Sequence, residues 1–287
     1  MRPILYNGGM SDIQPTIGFI GAGNMAAALI NGLRAKGWQG ENLWASDTDA
    51  SRLESLAGDG IKTTTENHEV IAACSIVILA VKPQVMADVL APLRDSLLEY
   101  DCLLVSIAAG ISMTNLQDWT HPAQAIVRCM PNTPALVGEG ASALFSNNHV
   151  STQQQNVAES VLCAVGIVCW VDDETDMDAV TALSGSGPAY FFLLMEAMQE
   201  AAVQLGLEKE AAEILCKQTA LGAAQLAIHS DVDVAELRRR VTSPGGTTEA
   251  ALNQFASEDF NAMVARALEK AADRSRELAA PANNKND

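Results

Sequence analysis

Residues 18–26 read GFIGAGNMA, and this stretch is the strongest indication of the fold in the first half of the chain. Gly21 and Gly23 predict a tight turn whose backbone can approach a pyrophosphate closely. Ala26 stands where a third small residue lets a helix pack against the preceding strand. The pattern therefore predicts a dinucleotide-binding Rossmann domain. The cofactor contacts expected within the turn are Gly21, Gly23, Asn24 and Met25.

The surroundings of this turn support the same interpretation. A short apolar strand is predicted over 16–20, directly before the turn, and an amphipathic helix over 24–35, directly after it. The free N–H groups and positive dipole end at the start of that helix favour phosphate. A second predicted strand over 42–46 ends at Asp47, where an acidic residue usually follows such a turn.

The residues beside Asp47 leave the choice of cofactor open. A carboxylate at this position accepts a hydrogen bond from the ribose 2′-hydroxyl of NAD and repels the 2′-phosphate of NADP. Ser46, Thr48 and Arg52 also lie within reach of that corner, and the Arg52 guanidinium could neutralise a phosphate. These residues favour NAD only slightly, so NADPH and NADH are both candidate cofactors.

Further apolar runs alternate with helix-length segments through the first half of the chain. The run over 75–81 (SIVILAV) is continuously apolar, as expected for a strand buried on both faces of a parallel sheet. This alternation predicts right-handed βαβ units in a doubly wound α/β sheet. The other predicted strands cover 102–107, 124–129, 141–145 and 167–170, with a helix over 152–165.

Residues after two of these strands are further candidates for the cofactor site, because ligands bind at the carboxyl ends of strands in doubly wound sheets. Val81, Lys82 and Pro83 end or follow the 75–81 run, although a solvated loop lysine is the alternative for Lys82. Ala108 and Ala109 follow the next strand, where small side chains let a flat nicotinamide ring approach the backbone.

The second half of the chain is helical in pattern. The helix over 188–205 is hydrophobic nearly all the way round, and such a helix must be covered on every side. We therefore expect this half to pack against a second copy of itself as an obligate homodimer, with a self-sufficient bundle as the alternative. The remaining helices are predicted over 208–228, 233–241, 247–256 and 259–279.

The change of pattern near residue 176 divides the chain into two predicted domains. Residues 1–175 are the predicted dinucleotide-binding Rossmann domain, which begins with a loose leader over 1–15. Residues 176–287 are the predicted all-helical dimerisation and substrate domain. Its polar end, 281–287, is expected to fray.

Composition excludes several classes of partner. With 18 Lys and Arg against 35 Asp and Glu, the net charge is −17, which disfavours nucleic acid and anionic membranes. No apolar run reaches the roughly 18 residues of a membrane span. The 6 cysteines are scattered without a CxxC motif, which argues against a disulfide framework and favours the reducing cytoplasm.

The histidines and carboxylates do not suggest a metal site. None of the 4 histidines pairs with a motif, so each is interpreted as a surface residue, and we assign no metal. The acidic run over 172–178 (DDETDMD) is interpreted as a solvated border between the domains.

Three further motifs make the pattern specific. They are RCMPNTP at 128–134, LSGSGPAY at 183–190 and VTSPGGTT at 241–248. Together with GFIGAGNMA, AVKPQ and SIAAGI, these motifs resemble pyrroline-5-carboxylate reductase, in order and in register from about residue 16 to residue 279. SPGGTT within an all-helical domain is the most diagnostic of them.

This resemblance implies an activity and an assembly. The activity is reduction of 1-pyrroline-5-carboxylate to L-proline by hydride transfer from NADPH or NADH, the last step of proline biosynthesis. The assembly is a dimer with interleaved helices, and such dimers commonly assemble further into decamers. The substrate is implied to lie between the nicotinamide and the SPGGTT turn of the partner subunit.

The resemblance also assigns roles to residues. The threonine that contacts the substrate falls on Thr248, the glycines that hold its carboxylate on Gly245 and Gly246, and the asparagine near the cofactor ribose on Asn67. Lys82 matches the lysine of the family's VKP motif. The complete set of substrate contacts then expected is Met130, Asn132, Ser243, Gly245, Gly246, Thr247 and Thr248.

Physical chemistry agrees with these roles. A cyclic imine is partly protonated near neutral pH, so hydride transfer needs orientation more than a strong acid. Adjacent N–H groups of Gly245 and Gly246 can form a nest for a carboxylate, and the Thr248 hydroxyl can hydrogen-bond the ring nitrogen and relay a proton. A helix-breaking turn with a Ser or Thr cap is the structural alternative for SPGGTT, and the two interpretations are compatible.

Three alternative functions share parts of this pattern. A β-hydroxyacid dehydrogenase shares the Rossmann-plus-helical plan but needs a lysine a few residues after a GxG element, where this chain has Phe191. Another imine reductase would fit most of the motifs. A non-catalytic dinucleotide sensor would bind cofactor without turnover and gives no reason for an SPGGTT turn.

Overall fold

The computed structural model describes residues 14–58 and 60–279. Most of the leader predicted for 1–15, and the predicted polar end at 281–287, lie outside the described residues. Within them the chain forms an eight-stranded sheet and then a series of helices. The strands are β1 Ile17–Ile20, β2 Leu43–Ser46, β3 Lys62–Thr64, β4 Ile76–Leu79, β5 Leu103–Ser106, β6 Ile126–Met130, β7 Gly140–Ser146 and β8 Gly166–Trp170.

The sheet has the strand order β3-β2-β1-β4-β5-β6-β7-β8. β1 lies between β2 and β4 and pairs with both in parallel, with Ile20 opposite Ser46 on one side and Leu79 on the other. The carboxyl ends of β1, β2, β4, β5 and β6 therefore meet at one edge. This arrangement confirms the predicted doubly wound sheet.

One strand departs from the predicted βαβ pattern. β7 pairs with β6 antiparallel, with Met130 opposite Ala143. A parallel crossover needs a dozen or more residues, whereas only 131–139 connect these strands and include the short 3₁₀ turn Thr133–Val137. The chain therefore reverses at this point.

Helices cover both faces of the sheet because the central strands are apolar on both sides. Ile17 and Phe19 of β1 face one cluster of buried side chains, which includes Leu29 of the first helix. Ile20 faces the other cluster, which includes Leu79. The helices in this part are α1 Asn24–Ala35, α2 Ala50–Ala57, α3 Asn67–Ala73, α4 Met86–Leu90, α5 Arg94–Tyr100, α6 Met113–Trp119, α7 Thr152–Leu162 and α8 Asp176–Val180.

The chain divides into two compact units. One contains the sheet and extends to Ser186, and it also includes the end of the last helix from Ala271; the other is Gly187–Lys270. A one-turn π-helix, Thr181–Gly185, follows α8 in the first unit. The remaining helices are α9 Gly187–Gln204, α10 Lys209–Ile228, α11 Val234–Arg240, α12 Thr247–Ser257 and α13 Phe260–Ala279.

Helix α9 carries an unusual amount of exposed apolar surface. The side chains of Phe191, Phe192 and Leu193 are 64%, 61% and 66% exposed in the single chain. Because these three consecutive residues point in successive directions around the helix, one neighbouring helix is not enough to cover them.

In the described part of the chain, no helix combines the length and apolar character needed to cross a membrane.

Candidate active site

The glycine turn lies at the carboxyl end of β1. Gly21 has φ +98°, a conformation that favours glycine. A Cβ atom on Gly21 would lie only 2.8 Å from the Ala80 carbonyl oxygen. The Gly21 N–H donates to the Ser46 carbonyl oxygen at 2.8 Å. The turn is thus fixed between the ends of β2 and β4.

Gly23 faces open space instead. It precedes α1 in an extended conformation, and a Cβ atom placed on it would meet no atom within 4 Å. Among the described residues, the N–H groups of Asn24, Met25 and Ala26 in the first turn of α1 have no acceptor. An open surface beside three free N–H groups fits a pyrophosphate.

Asp47 lies against this turn. Its Oδ2 accepts a hydrogen bond from the Ala22 N–H at 2.8 Å, and its Oδ1 accepts one from the Asp49 N–H at 2.9 Å. Arg52 Nη1 lies 3.4 Å from Oδ2, and its side chain is half exposed while that of Asp47 is buried. Both a carboxylate and a cation therefore occupy the corner where a ribose 2′-group would bind.

Asn67 meets the same corner from the next helix. Ser46 Oγ donates to Asn67 Oδ1 at 2.7 Å, so the first residue of α3 is tied to the end of β2. Ser46 is fully buried, and Asn67 is partly exposed. The structure therefore joins Asn67, which only the family resemblance singled out, to Ser46, the residue before Asp47.

The other cofactor candidates lie along the same edge. Val81, Lys82 and Pro83 follow β4, with the Lys82 side chain exposed and a 3₁₀ turn beginning at Pro83. Ala108 and Ala109 follow β5, the neighbour of β4, and present only methyl groups. Since β4 pairs directly with β1, these residues and the glycine turn share one edge of the sheet.

Asn132 is engaged with the backbone at both ends of its amide. Its Nδ2 donates to the Ser184 carbonyl oxygen at 3.1 Å, and its Oδ1 accepts from the Ala141 N–H at 2.8 Å. A Cβ atom on Gly185 would overlap Met130 Cε. These contacts join the carboxyl end of β6 to the π-helix, which indicates a positioning role for Asn132.

Glu174 has a structural role that the sequence did not reveal. Its carboxylate pairs with Arg128 and accepts a hydrogen bond from the Met113 N–H at 2.6 Å, at the start of α6. The interpretation of this acidic residue as part of a solvated border was wrong, since its side chain is only 29% exposed. In the sequence, only the cation Arg128, two residues before Met130, hinted that an acidic side chain would pair with it.

The thiol beside Met130 is buried and protonated at neutral pH. Burial raises the pKa of Cys129 to about 12, against a weaker opposite effect of the Ser142 hydroxyl. The thiol therefore stays protonated at neutral pH, and thiolate is the reactive form. Among the residues that the structure describes, no group of three or more His, Cys, Asp or Glu side chains lies close enough together to hold a metal ion.

The SPGGTT stretch forms the turn before α12 in the helical unit. Gly245 has φ +72°, and Gly246 is the N-cap of α12 in an extended conformation. The Gly245 N–H donates to Glu249 Oε2 at 2.8 Å, and the Gly246 N–H donates to the Ser243 carbonyl oxygen at 3.0 Å. Both N–H groups expected to hold a carboxylate thus have partners within the chain itself.

The two threonines after the glycines are the first residues of α12. Neither side chain caps the helix, because Gly246 is the N-cap and makes no side-chain hydrogen bond. Thr248 is partly exposed, and its hydroxyl has no hydrogen-bond partner among residues 14–58 and 60–279. The hydroxyl is therefore available to a ligand.

A glycine turn with free N–H groups at the carboxyl edge of a Rossmann-type sheet, followed by a helical unit, is typical of the class of NAD(P)-dependent two-domain oxidoreductases. Comparison with family models narrows this class. The model for pyrroline-5-carboxylate reductase dimerisation matches residues 174–278, and one described as NADP oxidoreductase, coenzyme F420-dependent, matches residues 16–110. The dimerisation match indicates a homo-oligomer.

Individual relatives agree with the family models. The pyrroline-5-carboxylate reductase of Pseudomonas aeruginosa is 53% identical over 266 residues, which cover 92% of this chain and 97% of that protein. The pyrroline-5-carboxylate reductase of Pasteurella multocida is 42% identical over 269 residues, with 92% and 97% covered. This chain belongs to the pyrroline-5-carboxylate reductase family, whose members are NAD(P)H-dependent oxidoreductases.

Solved structures match over almost the whole chain. A pyrroline-5-carboxylate reductase from Coxiella burnetii has a TM-score of 0.89 and 43% identity, with 92% of this chain and 98% of that chain covered. The Plasmodium falciparum enzyme, solved with NADP bound, has a TM-score of 0.83 and 32% identity, with 95% and 100% covered. The predicted fold class and family are thereby confirmed.

Proposed function

We propose that this chain reduces 1-pyrroline-5-carboxylate to L-proline with NAD(P)H, and that the turn before α12 orients the imine. The observation that carries the proposal is the Thr248 hydroxyl, which lies two residues after the N-cap Gly246 and has no hydrogen-bond partner in the described part of the chain. Such a turn can hold a carboxylate and reach a ring nitrogen at the same time.

The dinucleotide would bind along the carboxyl edge of the sheet. The first-turn N–H groups of α1 suit its pyrophosphate, Asp47 and Asn67 its ribose, and Ala108 and Ala109 its nicotinamide ring. When bound, NAD(P)H supplies the hydride. Arg52 beside Asp47 offers a partner for a 2′-phosphate, so NADPH remains a candidate beside NADH.

The chain's own residues supply orientation rather than strong acid–base catalysis. In the proposed complex, the substrate carboxylate replaces Glu249 and the Ser243 carbonyl oxygen as acceptor of the Gly245 and Gly246 N–H groups, and this fixes the ring. The Thr248 hydroxyl hydrogen-bonds the ring nitrogen, which becomes a secondary amine when the imine carbon is reduced. Asn132 and Met130 act indirectly in this scheme, since their contacts set the backbone at the end of β6.

The proposed working unit is an obligate homodimer in which the partner subunit supplies the SPGGTT turn. The exposed aromatic and aliphatic side chains of α9 support this assembly, because the single chain leaves them open to solvent and a second copy could cover them. Assembly of dimers into decamers stays a prediction. The proposed location is the cytoplasm, which is supported by the buried free thiols of Cys74, Cys102, Cys129 and Cys216.

An absorbance assay tests the proposed reaction against its alternatives. NADPH or NADH absorbance should fall when the cyclic imine is added, and it should stay constant without substrate. A β-hydroxyacid dehydrogenase would instead convert hydroxyacids with NAD(P)⁺, and a sensor would bind the cofactor without turnover. The exposed Phe191 at the position of the dehydrogenase lysine disfavours the first of these, because a phenyl ring cannot take a proton.

A further inference from the structure

The N–H group proposed to hold the substrate carboxylate already binds a carboxylate of this chain. Glu249 Oε2 accepts a hydrogen bond from the Gly245 N–H at 2.8 Å. Glu249 is half-buried and lies in the first turn of α12, directly after Thr248. A glutamate side chain thus occupies the position that a bound substrate would need.

We propose that Glu249 is an internal competitor for the carboxylate site, and that the substrate must displace it before the ring can be held. This inference rests on the function proposed above. A backbone N–H group has one proton to donate, so the side-chain and substrate carboxylates cannot both bind Gly245 in full. Two like charges at that distance also repel each other.

The Glu249 side chain is stabilised at the Gly245 N–H, but a substrate can still displace it. A negative charge in the first turn of a helix is favoured by the helix dipole, and the hydrogen bond to Gly245 adds to this. Because the side chain is partly exposed, it can rotate into water at little cost.

Glu249 therefore determines specificity between imines with and without a carboxylate. A carboxylated imine must replace the Glu249 carboxylate as the acceptor of the Gly245 N–H. This competition lowers the apparent affinity for that imine. An imine such as 1-pyrroline, which lacks a carboxylate, does not need this N–H group. Removal of the glutamate should consequently affect only the carboxylated substrate and the product proline.

Steady-state kinetics of Glu249→Ala and Glu249→Gln test the inference. The KM for 1-pyrroline-5-carboxylate should fall by about two- to fivefold in Glu249→Ala, the range for a partly solvated ionic contact, while the KM for 1-pyrroline stays constant. Glu249→Gln keeps a neutral acceptor and should show an intermediate decrease. Inhibition by L-proline should become stronger in the same order.

Glu258→Ala is the matched control, since it removes the same charge at the other end of α12 and should leave both KM values unchanged. A higher KM for the carboxylated imine in Glu249→Ala would mean that Glu249 only braces the turn, and would overturn the proposal. Equal changes for both imines would overturn it too. Failure of the proposed function is distinct, because the wild-type chain would then not oxidise NAD(P)H with 1-pyrroline-5-carboxylate at all.

Discussion

Asp47 and Ala22 are joined by a hydrogen bond of 2.8 Å between the buried carboxylate and the backbone N–H. This contact ties the end of β2 to the glycine turn, 25 residues away in sequence. The residue that the motif assigns to the ribose therefore also holds the phosphate-binding turn in place. In the proposed site, Asp47 therefore couples binding of the cofactor to the local stability of the turn.

Replacement of Asp47 by Ala should affect both properties. In Asp47→Ala, the Ala22 and Asp49 N–H groups lose the carboxylate that accepts their hydrogen bonds. The free energy of unfolding should therefore fall by about 1–3 kcal/mol. The KM for NADH should rise more than that for NADPH, because Arg52 is released from its carboxylate partner. Kinetics with each cofactor and urea unfolding measure the two effects. Glu54→Ala, an exposed change on α2, is the control; equal KM shifts for both cofactors would contradict the role of Arg52.

The two glycines of the turn should respond differently to alanine. Gly21→Ala places a Cβ against the Ala80 carbonyl oxygen at φ +98° and should lower the free energy of unfolding by about 2 kcal/mol or more. Gly23→Ala meets no atom of the protein and should cost less than about 1 kcal/mol. It should still weaken cofactor binding roughly tenfold, because the methyl group stands where the pyrophosphate approaches. Thermal unfolding and cofactor titration separate these effects; unchanged cofactor affinity in Gly23→Ala would place the pyrophosphate elsewhere.

Thr248→Ala should lower kcat/KM for the imine by roughly 10²-fold, the lower end of the range for a positioned proton-transfer group. Cofactor affinity should stay nearly unchanged, since the hydroxyl is assigned to the substrate. Thr248→Ser should restore most of the activity. Ser257→Ala, at the other end of α12, is the control for general effects on that helix. Full activity of Thr248→Ala would refute the role of this hydroxyl.

Alkaline pH should destabilise the chain through its buried thiols. Burial raises the pKa of Cys74, Cys102 and Cys129 from 9.0 to about 12. The folded state therefore keeps protons that the unfolded state loses above pH 9, so stability is constant below that pH and falls as the pH rises towards 12. Each thiol should cost about 1 kcal/mol at pH 10. Urea unfolding between pH 8 and 10 measures this loss of stability. The free energy of unfolding of Cys129→Ala should decrease less over this range than that of the wild-type chain. An identical pH dependence in the two proteins would show that Cys129 does not contribute.

The central strands were predictable because they are apolar on both faces. The run over 75–81 contains β4, Ile76–Leu79, and the glycine turn fixes the end of β1. β3 was missed, since Lys62–Thr64 is a three-residue edge strand with partly exposed side chains and shows no apolar run. The antiparallel direction of β7 was missed as well, because strand patterns carry no direction and only the short 131–139 connection reveals it.

The candidate site shows a similar division. A local motif singled out Gly21 and Asp47 as candidates, since it depends on residues that are close in sequence, and the family resemblance singled out the SPGGTT turn. Contacts between distant segments were not visible in the sequence, as the pairing of Arg128 with Glu174 shows. The contact of Glu249 with Gly245 is local, yet the sequence did not reveal it, because a glutamate in the first turn of a helix usually serves the helix alone.

In the proposed reaction a hydride passes from the nicotinamide to the imine carbon. We would follow this transfer with NAD(P)H that carries deuterium at the reactive carbon of the ring, and analyse the product by mass spectrometry and NMR. We expect L-proline with one deuterium on the former imine carbon. The proposed reaction is refuted if no proline forms, or if the proline lacks deuterium whichever stereochemical position of the cofactor is labelled.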